Sequence, residues 1–496
     1  MTSRDQRSTL YRGDLYLNIL ENAVELLILE IIEDNPYEFE LETVFQQDKA
    51  PPHFRRNVRE YLTNTYPNRL IWLVVFATYC GLSIHFILVN IEHYLANPTL
   101  VTIKNDFRNW RNSFPAATAC FIDKVDLKKA EIFIKKEWGV SLKDSTYSYH
   151  LDFIKIISNL TYSTLSSLER YKHDHRFHEM DWLYVLNSVH PPLNGILATS
   201  EVNVPLDWKL VITEMGLCFS LNLKFVDFIS SSQSSNKGNS EIPIKDQKSF
   251  ECHYLNGLCY ARYDSDAQRP LQYYIHSPLE IIHASVDPPL TVKQSEEYEA
   301  NFELTETFTL EDARYLSPNQ RKCRYEDEPH RPNLPGYSVG ICSMMCRYEL
   351  ALKLCGCKPF FYSFLDGQNC DLNGLLCLSK VSHLFNQSVQ NLGCYCPAPC
   401  NLMIYLKESS KVTVWETGYF DQRITFRWVL IPPTTKYQRT VLFGYNELIV
   451  YCGGTLSLFL GLSFIGMVEV MYLISDRLYQ FFCSKYINRV KMIAKK

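Results

Sequence analysis

The chain carries two long apolar stretches, one near each end, with a much larger segment of mixed polarity between them. The first, Leu70–Asn90, contains no Asp, Glu, Lys or Arg, and the second, Leu448–Ile474, contains a single acid, Glu469. About 20 apolar residues are enough to cross the hydrocarbon core of a bilayer. The pattern therefore predicts two transmembrane helices, over residues 70–90 and 446–474.

The intervening segment, residues 91–445, has the pattern of one large folded domain. Short β-branched and aromatic runs, such as Leu206–Thr213 and Arg423–Val429, are separated by Pro, Gly and Asn, which predicts strands. The apolar spacing in Val125–Glu137 and Ile341–Leu354 predicts helices. We therefore expect a membrane α+β protein whose middle segment mixes helices and strands.

An earlier apolar stretch, Leu15–Ile32, is interrupted by Glu21, Glu25 and Glu30. One carboxylate costs roughly 2.5–3.5 kcal/mol at the centre of a bilayer. We therefore predict an amphipathic helix here rather than a third span. Residues 1–20 lack the apolar core of a signal peptide, so the first span is expected to direct membrane insertion.

Basic residues flank the two spans on the sides that lead to the chain ends. They are Arg55, Arg56, Arg59 and Arg69 before the first span, and Arg477, Lys485, Arg489, Lys491, Lys495 and Lys496 after the second. Lys and Arg concentrate on the cytosolic side of membrane proteins. The N-terminal segment 1–69 and the short tail 475–496 are therefore predicted to be cytosolic, and residues 91–445 extracellular.

Cysteine usage supports this topology. Of 17 cysteines, 14 lie between Cys120 and Cys400, and ten of these lie between Cys323 and Cys400. Disulfides persist in oxidising compartments, and an even number permits complete pairing. The remaining three fall in the predicted membrane and cytosolic segments, where free thiols are expected: Cys80, Cys452 and Cys483.

The outer cysteines of the dense run are spaced symmetrically. Cys342-x3-Cys346 leads in, and Cys394-x-Cys396-x3-Cys400 leads out. This mirrored spacing is what a ladder of nested disulfides requires, because each rung joins an outgoing cysteine to a returning one. The sequence therefore predicts a stapled extracellular region.

The net charge and the sequons add two smaller expectations. The net charge is −4, with 46% hydrophobic and 21% charged residues, which excludes a polybasic nucleic-acid-binding protein and a disordered acidic tail. No nucleic-acid partner is expected. The sequons Asn159-Leu-Thr161 and Asn386-Gln-Ser388 predict glycosylation of Asn159 and Asn386 on the extracellular side.

Small residues in the second span have two interpretations. Gly453-Gly454 and Gly461-Leu462-Ser463 allow helices to pack closely. They also allow the backbone to leave the helix where it lines a water-filled cavity. Freed carbonyls and a Ser hydroxyl can then replace the hydration shell of an ion.

Glu469 favours an ion pathway over simple packing. Acids within a bilayer usually face a pore or cavity, and a ring of carboxylates attracts cations. Two helices per chain cannot enclose a pore by themselves. The interpretation therefore requires an oligomer with cyclic symmetry.

The second span resembles the degenerin / epithelial sodium channel family, and more narrowly its insect pickpocket branch. The family pattern Gly-Gly-x-x-Gly-Leu-Phe-x-Gly-x-Ser corresponds to GGTLSLFLGLS, from Gly453 to Ser463, with Ser457 in place of a customary Gly. The resemblance implies that Gly461, Leu462 and Ser463 form a selectivity filter, in which Leu462 is bulkier than the usual residue.

Two further positions take roles from the same resemblance. Glu469 matches the acid that follows the filter. Val450, three residues before the first Gly of the pair, matches the gating position at which a large side chain tends to hold the family's pores open. Val450, Gly453, Gly454, Ser457 and Glu469 are therefore predicted to serve pore structure and gating.

The extracellular segment agrees with this resemblance. Asn97-Pro98, FPAATAC at Phe114–Cys120 and GLCFSLN at Gly216–Asn222 resemble family motifs, as do LSPNQRKCRYEDE and YSVGICSMMCRYELALKLCGCKP. The likeness runs from Arg69 to Glu469. It implies a hand-like domain with palm, thumb, finger, knuckle and β-ball.

The resemblance also implies a disulfide pairing. The implied pairs are Cys120–Cys218, Cys323–Cys400, Cys342–Cys396, Cys346–Cys394, Cys355–Cys377 and Cys357–Cys370. The family's usual pair upstream of Cys218 is absent here. We predict instead that Cys252 and Cys259, which come later, bond locally as a hairpin clip.

The implied function is a subunit of a trimeric, ligand- or stimulus-gated, amiloride-sensitive sodium channel of the plasma membrane. Na+ would pass passively, and no cofactor, metal or catalytic residue is expected. The expected partners are two further subunits, identical or related, the lipid bilayer, an amiloride-type pore blocker and an extracellular ligand.

One departure from the family supports an alternative. The family has a His-Gly pair before the first span that supports gating, and the nearest match here is His53-Phe54. Phe cannot adopt the backbone conformations that are open to Gly alone. The alternative prediction is therefore that the chain is a non-conducting or regulatory subunit of a heteromeric channel.

Other classes fit less well. An ATP-gated trimeric cation channel also has two spans, but it lacks the Gly-x-Ser tract and the nested cysteines. An extracellular enzyme would need a nucleophile–base or metal-ligand constellation, and His173, His175 and His178 read instead as part of a charged surface loop. The acidic run Glu296, Glu297 and Glu299 is interpreted as solvated charge, with carboxyl pairs that sense acid as the alternative.

Overall fold

A computed structural model describes residues 69–200, 206–230, 249–266, 269–387, 390–463, 465–466, 468–469 and 471–480. The predictions for Leu15–Ile32, for His53-Phe54 and for Cys483 lie outside these residues. The described residues divide into two compact units, one made of residues 69–92 and 445–480 and the other of His93–Gly444.

The described residues up to Leu460 form nine α-helices. In chain order they are α1 (Arg69–Ala96), α2 (Leu127–Trp138), α3 (Tyr147–Ser158), α4 (Trp182–Val189), α5 (Pro318–Arg321), α6 (Val339–Cys355), α7 (Leu372–Lys380), α8 (Ser382–Phe385) and α9 (Tyr445–Leu460). The helices predicted over Val125–Glu137 and Ile341–Leu354 are confirmed as α2 and α6.

The described strands number sixteen. They are β1 (Thr99–Lys104), β2 (Arg111–Ser113), β3 (Ala116–Phe121), β4 (Gly195–Thr199), β5 (Lys209–Thr213), β6 (Gly216–Leu221), β7 (Glu251–His253), β8 (Cys259–Ser265), β9 (Leu271–His276), β10 (Leu290–Val292), β11 (Glu296–Thr309), β12 (Cys323–Arg324), β13 (Ala398–Pro399), β14 (Leu402–Val414), β15 (Ile424–Ile431) and β16 (Lys436–Val441). The strands predicted in Leu206–Thr213 and Arg423–Val429 are confirmed as β5 and β15.

The first unit contains the two apolar stretches. Within the described residues, one helix is long and apolar enough to cross a membrane, Ile71–Ala96 of α1, by length and composition. The helix α9 has 16 residues and ends at Leu460. Within the span predicted over residues 446–474, residues 461–463 are not helical, and helical backbone returns at 465–466, 468–469 and 471–480.

The second unit is built around a seven-stranded sheet with the order β1-β16-β11-β15-β8-β4 and with β14 paired to β11. The long strand β11 is central, parallel to β15 and β16 and antiparallel to β14. Six of the eight residues of β15 are buried, which indicates that both faces of the sheet are covered at this strand. Its Phe426 and Trp428 stack at 5.2 Å, and Phe426 stacks on Tyr273 at 4.2 Å, which forms the core of this sheet.

A five-stranded sheet, β10-β9-β3-β6-β5, joins this core to the helices. The helices have strong end signals: Asp126 caps the N-terminus of α2, and Ser338 caps that of α6. Gly139 and Gly356 end the same two helices in left-handed conformations, which glycine adopts without steric cost. Local sequence therefore fixes the ends of these helices.

Candidate functional site

The helix α9 stops because Gly461 leaves the right-handed region. Gly461 has φ +61°, and its N–H donates to the carbonyl of Ser457 at 3.0 Å. This is an αL C-cap, in which the residue after the helix is usually Gly. The carbonyls of the last turn lie beyond the regular helical hydrogen-bond ladder. They are the backbone groups that an ion could use.

Ser463 precedes and caps the helical residues that follow. Its Oγ accepts a hydrogen bond from the N–H of Gly466 at 3.1 Å, which is the geometry of an N-cap. Leu462 lies between the capping Gly461 and Ser463. The Gly-x-Ser tract is therefore a helix end, a one-residue link and a helix start, and its sequence explains why the span breaks there.

The other predicted pore residues lie on the outside of the single chain. Val450 is 70% exposed on α9. Apart from chain neighbours and the backbone of their own helix, no described atom lies within 4 Å of the point where a Cβ would stand on Gly453 or Gly454. Ser457 and Glu469 are also exposed. These surfaces are open to neighbours that a single subunit does not supply.

The cysteines of the second unit pair as seven disulfides. They are Cys120–Cys218, Cys252–Cys259, Cys323–Cys400, Cys342–Cys396, Cys346–Cys394, Cys355–Cys377 and Cys357–Cys370, the same seven pairs given above. Within the described part of the chain, Cys80 and Cys452 are free. The ladder ties α6 to the returning segment before β14, so this helix is held along its length.

A buried ion pair, which sequence reasoning missed, ties α6 to the five-stranded sheet. Arg347 on α6 and Glu214 after β5 are both fully buried, with Nη1 and Oε2 3.0 Å apart. The Tyr362 hydroxyl donates to Glu214 Oε1 at 2.5 Å, and the N–H of Ala284 donates to Oε2 at 2.6 Å. Burial, together with the Glu214 carboxylate, holds the pKa of Tyr362 well above its usual range, so this hydroxyl remains a donor.

Arg347 is satisfied on its other side as well. Its Nη2 donates to Ser285 Oγ at 2.6 Å, and its Nε donates to the carbonyl of Phe385 at 3.1 Å. Tyr162 joins the network through a 2.7 Å hydroxyl contact with Tyr362. A single charged group therefore connects α6, α8 and the loop after β9.

His276 at the end of β9 is buried and neutral near physiological pH. Its Nε2 lies 2.8 Å from Thr118 Oγ1, and its Nδ1 lies 2.9 Å from the carbonyl of Ser277. Burial lowers its pKa from 6.5 to about 4. A depressed folded-state pKa gives stability that is present above about 6.5 and is lost as the pH falls through about 4.

The acidic run on β11 does not form carboxyl pairs. Glu297 lies 3.2 Å from Arg262 Nη2, and Glu299 lies 3.5 Å from Arg427 Nη1. Glu296 accepts from the N–H of Lys293 at 2.9 Å. The carboxyl-pair alternative is therefore wrong, because each acid is bonded to a cation or an N–H group.

The two sequon asparagines differ in how accessible their side chains are to a glycan. The Asn159 Nδ2 donates to the carbonyl of Lys155 at 3.1 Å, and its Oδ1 is buried, whereas Asn386 is exposed at the end of α8. A glycan on Asn159 would have to displace this contact. We therefore expect Asn386→Gln to remove one endoglycosidase-sensitive mass shift, and Asn159→Gln to leave the mass unchanged. Loss of the shift in Asn159→Gln alone would contradict this expectation.

The predicted surface histidines do not gather into a metal site. His175 and His178 have ring centroids 5.2 Å apart. Across the described ranges, no group of three or more His, Cys, Asp or Glu is placed to hold a metal ion.

The chain is similar to a family of known proteins. The family model described as amiloride-sensitive sodium channel matches residues 53–473, which includes α1, the second unit and the break after α9. The chain belongs to the amiloride-sensitive sodium channel family. Members of this family are ion channels rather than enzymes, so the extracellular-enzyme alternative is excluded.

Two similar proteins span most of the chain, and a third spans about a third of it. Sodium channel protein Nach of Drosophila melanogaster is 21% identical over 474 residues and covers 86% of each chain. Acid-sensing ion channel 4 of Mus musculus is 23% identical over 439 residues, which is 81% of this chain and 74% of that one. Pickpocket protein 19 of Drosophila melanogaster is 25% identical over 195 residues, 34% of this chain and 36% of that one. The resemblance drawn from the motifs is confirmed.

Proposed function

We propose that this chain is a pore-forming subunit of a trimeric, stimulus-gated, amiloride-sensitive sodium channel in the plasma membrane. In this proposal α1 and the segment from α9 to residue 480 both cross the membrane, and both chain ends are cytosolic. Residues 91–445 form the family's hand-like extracellular domain, which senses a ligand or force. The observation that supports the proposal most strongly is the break at Gly461-Leu462-Ser463.

Three copies of this break around an axis would form a narrow ring. Each copy contributes carbonyls of the last turn of α9 and the Ser463 hydroxyl. Since a hydroxyl has two lone pairs, Ser463 can cap Gly466 and still contribute to coordination. Carbonyl and hydroxyl oxygens suit a hard, dehydrated cation, and a ring of Glu469 would raise the local cation concentration.

A regulatory role is the second candidate, and His53-Phe54 is the observation that favours it. In that role the chain would assemble with related subunits and would alter their gating without a sodium current of its own. The ectodomain and its disulfides would serve the same purpose in both cases, so recordings must separate the two.

The test is a whole-cell recording from cells that express the chain alone with Val450→Phe. We expect a constitutive inward Na+ current that amiloride blocks, because a large side chain at this exposed position should prevent the pore from closing. Ile449→Phe, on the adjacent and 53% exposed residue, is the matched control and should stay closed. Absence of current from protein shown at the cell surface would overturn the homomeric pore and favour the regulatory role, which co-expression with a related subunit would then test.

A further inference from the structure

Phe459 packs against the first helix close to the break. Its ring stacks on that of Phe86 with centroids 5.5 Å apart and an interplanar angle of 15°. The ring of Tyr79 also lies near it, with centroids 6.2 Å apart and an interplanar angle of 38°. Tyr79 and Phe86 are about two helical turns apart on α1, so both face the same neighbour.

Ser83 lies between Tyr79 and Phe86 along α1. It lies on the same face of α1, one turn from Tyr79, and it is only 1% exposed, although most of α1 is exposed. Small residues at helix crossings let backbones approach each other in membranes. Tyr79, Ser83 and Phe86 therefore form a shallow notch, called here the α1 notch, that holds the ring of Phe459.

The contact of Phe459 with α1 lies close to the proposed filter. It lies in the last turn of α9, two residues before Gly461, and the carbonyls of this turn are the groups that the proposed filter uses. A helix end can rotate about its own axis unless side chains hold it. The stacked ring restricts that rotation and so fixes the direction in which the carbonyls and the following link point.

We propose that Phe459 is a positioning residue for selectivity: by seating in the α1 notch, it sets the orientation of the Gly461–Ser463 filter. The inference rests on the proposed function. Phe459 does not touch the ion. Its loss should therefore alter the preference between Na+ and K+ more than it alters the amount of protein at the surface.

The first test does not depend on current. The pair Phe86→Cys with Phe459→Cys is introduced into the full chain with Cys80→Ser and Cys452→Ser, and a short bifunctional methanethiosulfonate reagent is applied to membranes. We expect intrachain cross-linking, read as protection from a thiol-reactive polyethylene glycol after denaturation. The control pair Phe86→Cys with Leu458→Cys uses a residue that is 79% exposed and should not cross-link. Equal protection in both pairs would overturn the seating of Phe459.

The second test measures selectivity in the Val450→Phe background. Phe459→Ala and Phe86→Ala should each lower the Na+ to K+ permeability ratio by about threefold, which corresponds to about 0.7 kcal/mol. The exposed residues Leu458 and Leu88 supply the matched alanine controls, which should keep the ratio. An unchanged ratio in Phe459→Ala would overturn the inference. If Val450→Phe itself carries no current, the proposed function fails, and the cross-linking result still decides whether Phe459 seats in the notch.

Discussion

Arg347→Met is expected to destabilise the extracellular domain by about 3–5 kcal/mol, because it leaves the carboxylate of Glu214 buried without its cation. Both side chains are fully buried, so water cannot replace the lost partner. Tyr362 and Ala284 would continue to donate to Glu214, but neither carries a compensating charge. Since whole domains are stable by only about 5–15 kcal/mol, we expect most of the variant to be retained inside the cell.

The measurement is surface biotinylation in cells, followed by thermal unfolding of the purified full chain in detergent. Arg331→Met is the matched control, because Arg331 pairs with Glu349 at the surface, where both side chains are about half exposed. Exposed pairs contribute about 0–1 kcal/mol, so this variant should behave like the parent. A surface level in Arg347→Met equal to that of Arg331→Met would contradict the importance of the network.

A double variant separates loss of charge from loss of packing. Arg347→Met combined with Glu214→Leu removes both charges, and replacing a buried pair by apolar residues is often neutral or stabilising. We expect the double variant to recover a large part of the stability lost in Arg347→Met. A double variant that is less stable than either single change would show that the hydrogen bonds to Ser285 and from Tyr362 matter more than the charges.

Gly461→Ala is expected to abolish most of the selective sodium current while leaving the protein at the surface. The left-handed conformation at φ +61° costs an L-residue roughly 1–2 kcal/mol, so Ala favours continuation of α9 through the tract. A continuous helix would take its last carbonyls back into the hydrogen-bond ladder and would displace Ser463 from its capping position.

Two comparisons make this prediction specific. Gly461→Asn should keep part of the current, because Asn tolerates the left-handed region better than Ala does. Gly81→Ala on α1 should leave current and selectivity unchanged, because Gly81 is helical and no described atom crowds its Cβ position. Currents that match in Gly461→Ala and Gly81→Ala would contradict a role for the break. Recordings in the Val450→Phe background provide the readout.

Features that depend on a few adjacent residues could be predicted from the sequence. The lack of charge in Leu70–Asn90 indicated the first helix. The small residues and the Gly-x-Ser tract indicated a place where backbone can leave a helix, because capping is a property of a few adjacent residues. The cysteine pairs could be given because spacing and family resemblance agree on which partners are available.

Long-range contacts could not be predicted in this way. Glu214 and Arg347 are far apart in the chain, and each looks like an ordinary surface charge until the fold brings both into one core. The contact of Phe459 with Phe86 has the same character, since aromatic residues in an apolar span give no sign of their partners.

The most direct test of the central claim, that this chain forms a sodium-selective path through its own Gly-x-Ser break, is the reversal potential of the Val450→Phe current. The recording uses Na+ outside and K+ inside, with amiloride added at the end. We expect a reversal potential that is well positive of zero and that falls when external Na+ is replaced by a large organic cation. A reversal potential that stays near zero, or that follows chloride, would contradict it.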